Sequence, residues 1–204
     1  ADRIAGWDKG EAYIFSHDPM GPLRIGTVAA DGTVELSLPA VQSTDQTLGS
    51  TFPSCLESGE PIVSERFASF TPTSLFVAAD DYAMEELGSL HLVSSPEVMT
   101  WQASYGQESA VEGSWYQYVK VSQPATLEAE CKLPMYTGEG DDNFEQTTVY
   151  AAQFKPDWNL MRNEVTERGM TANREEREAL VPTHSGELTL PALEVTWWNT
   201  REDH

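Results

Sequence analysis

The chain has 204 residues, 40% of them hydrophobic, which is enough for a packed core and too many for general disorder. At about 150 residues per domain it reads as one domain over residues 1–204, with 40–61 as the place for any sub-boundary. Lys and Arg number 12 against 33 Asp and Glu, a net charge of −21 that repels nucleic-acid phosphates and anionic lipid and favours cations or basic partners.

No run of about 18 apolar residues occurs, so no transmembrane helix is expected. The first residues, ADRIAGWDKG, lack an initiator Met and a basic-then-apolar leader, and read as a mature or trimmed N-terminus. Residues 4–15 form an opening strand with a bend at Lys9-Gly10. In residues 23–39, LRIGTVAADGTVELSLP, Asp31-Gly32 between strand-like residues predicts a hairpin. Val34, Leu36 and Leu38 alternate with Glu35 and Ser37, so one face goes inward. Residues 40–61 are a connector rich in Ser, Thr, Gly and Pro, with a short helix expected around Val41–Leu48 and Cys55 as its pin.

Strands are expected over 62–70, 74–79 and 87–95, the second of them, SLFVAA, as a fully buried run. DDYAMEELG (80–88) reads as a helical turn or an acidic loop, and MTWQASYGQ (99–107) as a strand. Residues 114–131, SWYQYVKVSQPATLEAEC, read as the central hairpin, turning at Gln123-Pro124. Trp115, Gln117, Val119 and Val121 take one face of its first strand and Tyr116, Tyr118 and Lys120 the other, so both faces are expected to be covered. After the acidic stretch 137–146 come strands at 147–154 and 160–167, joined by a tight turn at KPDWN (155–159). TANREEREAL (171–180) is the best helix candidate, with Glu175 and Glu176 in its first turn. The last strand is LTLPALEVTWW (188–198). About ten short strands with turn signals between them predict an all-β fold, an antiparallel β-sandwich of Ig-like or jelly-roll type with one short helix near the C-terminus.

Cys55 and Cys131 are the only cysteines, too few for a Cys-only zinc site, and no His stands at ligand spacing beside either. One disulfide is the economical reading and implies an oxidising compartment; two buried free thiols in a cytosolic protein are the alternative. Closing that loop limits the unfolded chain by about 4.5 kcal/mol in the chain-entropy model.

Three segments, GW-x-x-GEA at 6–12, IGTVAADGTVELSLPA at 25–40 and SWYQYVKV…TTVYAAQFKPDWNLM at 114–161, follow each other in an order that resembles bacterial envelope proteins, often lipoproteins. Their first strands look like a small Ig-like or carboxypeptidase-regulatory-like β domain, followed by a Y-x-Y-V strand and a GWN turn. Here Asp157 stands where the family usually shows Gly, and the match is patchy over about two thirds of the chain. The resemblance implies a secreted or envelope-attached β-sandwich and brings no catalytic residues with it.

The leading candidate site is the acidic stretch 138–145, where Asp141, Asp142, Asn143 and Glu145 offer oxygen ligands of the type Ca²⁺ takes, although the EF-hand order fails; a solvated hairpin loop is the plainer reading. Asp80, Asp81, Glu85 and Glu86 form a second acidic cluster. No other cofactor is indicated. The histidines, His17, His91, His184 and His204, form neither H-x-x-x-H nor H-E-x-x-H, and no G-x-S-x-G or Gly-rich phosphate loop is found. Trp101, Trp115, Trp158 and Trp198 are candidates for a sugar- or protein-binding surface, against the plainer reading of core packing. The sequence thus favours a non-catalytic extracytoplasmic module (periplasmic, outer-surface or secreted) that binds a protein or envelope component. Two alternatives stand beside it, an extracytoplasmic hydrolase acting on glycans and a calcium-stabilised structural domain.

Overall fold

The computed structural model describes residues 3–4, 6–18, 20–38, 46–52, 54–55, 62–104, 110–136, 143–168, 173–181 and 194–198, with the backbone alone at 133–136, 143–145, 167–168, 173–181 and 194–198. The strands are β1 (Ala12–Asp18), β2 (Gly21–Val28), β3 (Val34–Leu36), β4 (Phe70–Pro72), β5 (Leu75–Ala78), β6 (Glu86–Val93), β7 (Gly113–Val121), β8 (Ala125–Tyr136), β9 (Asn143–Phe154), β10 (Asp157–Arg168), β11 (Asn173–Val181) and β12 (Glu194–Trp198). Among the described residues two helices accompany them, α1 (Leu48–Thr51) and α2 (Pro96–Ala103). The fold is all-β and mostly antiparallel, the pairing of β11 with β9 being parallel.

The strand path β3-β2-β1-β5-β6-β7-β10-β11-β9-β8 is continuous and curls. Along one edge of β6, β5 pairs with Glu86–Leu90 and β7 with Leu92–Val93; β12 overlaps both and so takes the opposite edge. At the far end of the path, Val63 bridges Leu127 of β8, and the chain from there runs into β4, which pairs with β7 at Val119–Val121. The second half of the sheet therefore bends round until its last strand is tied back toward its first.

Strand β7 stands between two cores. Its odd-numbered Val119 and Val121 join Leu48, Phe52, Phe70, Leu127, Phe154 and Met161. Its even-numbered Tyr118 and half-buried Tyr116 join Ile14, Ile25, Val77, Leu90, Leu92 and Leu160 on the other side. This is the period-2 consequence of a strand with large apolar residues at successive positions, and both of its faces are covered, as its composition implies. Strand β5 behaves alike: Leu75 and Val77 enter the second core, while Phe76 and Ala78 pack with Phe15 on the opposite face.

Four local expectations are corrected. Residues 62–69 are turns and isolated bridges, and the strand expected over 62–70 begins only at Phe70 as β4. Residues 114–131 are not a hairpin. Strand β7 pairs with β10, β6 and β4, and β8 pairs along its length with β9. The chain at Ser122–Pro124 instead carries it across the first core, where Val121 and Leu127 meet. Residues 173–181 are strand β11 and not a helix near the C-terminus: ladders to β10 on one side and β9 on the other override the helical propensity of Glu, Arg and Ala. The stretch read as a strand at 99–107 is helical over Pro96–Ala103. Ser95 at the N-cap, Pro96 in the first turn and Glu97 just after it make a helix-start signature.

Turn chemistry holds the ends. Ala29 and Thr33 close the β2–β3 turn (N···O 2.8 Å), and Asp31 accepts from the Thr33 amide at 3.0 Å. At the β9–β10 turn Asp157 has φ 79°, which is left-handed backbone. The buried Asn159 amide group accepts from Lys155 N and donates to the carbonyls of Lys155 and Asp157, each at 3.0 Å. Helix α1 is one turn long and depends on a capping box, Thr47 Oγ1 accepting from Ser50 N and Ser50 Oγ from Thr47 N, with Leu48 buried beneath it.

Candidate functional site

Cys55 and Cys131 are joined by a disulfide with Cα atoms 5.4 Å apart. Both are buried in the core that β8, β9 and the connector share. The bond fixes Cys55, which follows helix α1, onto strand β8.

The acidic stretch 138–145 falls at the β8–β9 hairpin, whose pairing runs out to Tyr136 opposite Asn143. Asp141 and Asp142 lie outside the described residues. Asn143 and Glu145 are strand positions of β9, Glu145 opposite Pro134 on one side and Asn173 on the other. Among the described residues no group of three or more His, Cys, Asp or Glu side chains is arranged to hold a metal ion.

Trp158 lies apart from Trp101 and Trp115. Trp101 of α2 is buried, edge-to-face with half-buried Trp115 of β7 at 5.7 Å, and both pack with Val165. Trp158 is half-buried against the other core. Trp198 pairs with Ser89 in the β12–β6 ladder. In Trp101 and Trp115 the aromatic signal reports the docking of α2 on the sheet. Gly113 permits that docking, because a Cβ there would meet Val98 Cγ2 at 2.5 Å and Ser94 Oγ at 2.7 Å.

Ser114, Arg162 and Glu164 form a polar cluster between β7 and β10. Ser114 Oγ accepts from Arg162 Nε (3.3 Å) and Nη2 (3.2 Å) and donates to Glu164 Oε1 (3.3 Å), which also takes Arg162 Nη2 at 2.6 Å. A guanidinium offers no base, and it neutralises the carboxylate. The cluster acts as a clamp between β7 and β10 and does not activate a nucleophile. His91, half-buried on β6, has its pKa lowered by burial, and is held neutral near pH 7.

The second acidic cluster is an ordered loop. Asp80 Oδ1 accepts from the amides of Tyr82 (2.8 Å) and Met84 (3.3 Å), and Oδ2 from Glu85 (2.6 Å). Burial pulls the Asp80 pKa up, but these donors outweigh it and hold the carboxyl below its usual range. Ala83 adopts left-handed backbone (φ 57°) and packs toward Phe15 and Phe76. Arg24 pairs with Asp81 while lying over the Tyr13 ring at 4.6 Å. With Ala83 turned in, its neighbours Tyr82 and Met84 are turned out, 82% and 84% exposed. The sequence marks this stretch only as acidic; the signal it also carries is an Asp followed by residues whose amides it can gather.

Comparison with protein-family models, with curated proteins and with solved structures finds no match to this chain.

Proposed function

We propose that the protein is a non-catalytic, extracytoplasmic binding or structural module of the bacterial cell envelope, built as a β-sandwich. The Cys55–Cys131 disulfide carries this reading, since such bonds persist in oxidising compartments and are rare in the cytosol. The sandwich assignment is supported by the first core, where Leu127 and Phe154 of β8 and β9 pack with Val119 and Met161 of β7 and β10. The envelope assignment is supported by the order of the three segments that resemble envelope proteins. A non-catalytic role is supported by the Ser114–Arg162–Glu164 cluster, whose groups satisfy one another.

Thiol labelling of the unfolded, unreduced protein followed by intact mass tests the reading. No adduct before reduction and two after it is the expected result. Two adducts without reduction would remove the oxidising compartment and the proposal with it. Calcium stabilisation through 138–145 is decided separately by melting the protein with calcium and with chelator: equal melting temperatures eliminate it.

A further inference from the structure

We propose that the Asp80–Glu86 loop is a docking surface for a basic segment of a partner protein that carries an apolar side chain between its cations. This deepens the binding-module reading and rests on it. The first observation is exposure: Tyr82 and Met84 are large apolar side chains left to solvent two positions apart. The second is rigidity. Three amides on Asp80, the inward Ala83 and the Arg24–Asp81 pair fix the loop before any partner arrives, so little ordering entropy is lost on binding. Tyr is enriched among residues that dominate interface energy, and Met adapts to irregular partners.

Charge selects the occupant. Glu85 and Glu86 directly follow Met84 and form no ion pair among the described residues, while Arg24, the cation beside the loop, is already engaged by Asp81. On a chain of net charge −21 this favours a cationic partner and disfavours nucleic acid, an anionic membrane or a second copy of the chain. A metal ion is a poor occupant, because both Asp80 oxygens are taken by backbone amides.

The test uses the intact chain and two probes, a short peptide of alternating Lys and Leu and an oligolysine of equal charge, at about 0.15 M salt, where diffuse charge attraction is screened beyond about 8 Å. The Lys–Leu peptide is expected to bind more tightly than oligolysine. Tyr82→Ser with Met84→Ser should weaken it roughly tenfold, and Glu85→Gln with Glu86→Gln by a few-fold. Phe67→Ser, at a side chain 91% exposed on another loop, should change nothing. Asp80→Ala, which keeps Tyr82 and Met84 but frees the loop, should also weaken binding, and serves if the double variant loses its fold. Failure of the Lys–Leu peptide to bind, equal affinity for both probes, or equal effects at Phe67 and at Tyr82 and Met84 would overturn the proposal. The thiol result is independent of these outcomes, so the loop and the compartment fail separately.

Discussion

The two cores that meet on β7 are built differently. The core around Ile14, Val77 and Leu90 is lined by strands whose backbones are already hydrogen-bonded into the sheet, β1, β2, β5 and β6 among them. The core around Phe70, Leu127 and Phe154 draws in Leu48 of helix α1 and Phe52, Cys55, Ile62 and Val63, which lie outside the named strands. These described residues recover little of their ordering entropy from backbone ladders. The covalent tie sits in this core, beside the described residues that lie outside the strands. A disulfide here does what a strand pairing does on the other side.

The largest expected effect separates the two sides. Replacing Cys55 and Cys131 by Ser together should cost up to about 4.5 kcal/mol, read as a fall in denaturant midpoint. Hydrogen exchange should show the loss first at 46–55 and 62–70 and last in β1 and β5. Uniform loss across both cores would break the contrast.

Next in size is Gly113→Ala. Gly113 has φ 148°, and a Cβ there would press on Val98 and Ser94, so about 1–3 kcal/mol of destabilisation is expected. Trp fluorescence should report the disturbed Trp101–Trp115 pair. A smaller effect of opposite sign is expected at Asp157→Gly. Relief of left-handed backbone, less the added freedom of Gly in the unfolded chain, should stabilise by about 0.5–1 kcal/mol. Urea unfolding of the two proteins measures it.

Smallest is the pH effect at Asp31. Hydrogen bonds from Thr33, first its amide and then its hydroxyl, with Arg3 beside them, lower its pKa from 3.8 to about 2. A carboxyl depressed on folding stabilises above its unfolded pKa, and that contribution is lost as pH falls through its folded one. Asp31→Asn should therefore melt below the parent at pH 6, with the gap closing as pH drops from about 4 to 2. A gap no smaller at pH 2 than at pH 6 would assign the effect to the turn and not to the charge.

Much of the strand content was legible because it follows from alternation. Val34–Leu36, Leu75–Ala78 and Gly113–Val121 announce themselves by apolar spacing, and Asp31-Gly32 marks its own turn. What stayed hidden was pairing. Nothing in Ser122–Pro124 distinguishes a hairpin from a crossing between layers, and β7 finds its long partner in β10, about forty residues further on. Residues 173–181 show the same limit, since their local helical preference is outweighed by two ladders that sequence does not display. Among site residues, Trp101 and Trp115 pack against each other where α2 meets the sheet. The organised loop was hidden because Asp80 looks like one more acid among 33 until its three amide partners are in place.

The central structural claim is that β7, with Tyr118 in one core and Val119 in the other, couples two differently built cores. Hydrogen exchange through a urea series, with the disulfide intact, tests it most directly. The account predicts that amides of β1 and β5 and those of β8 and β9 reach one common opening free energy with one urea dependence. Two separate openings, one confined to each side of β7, would contradict it.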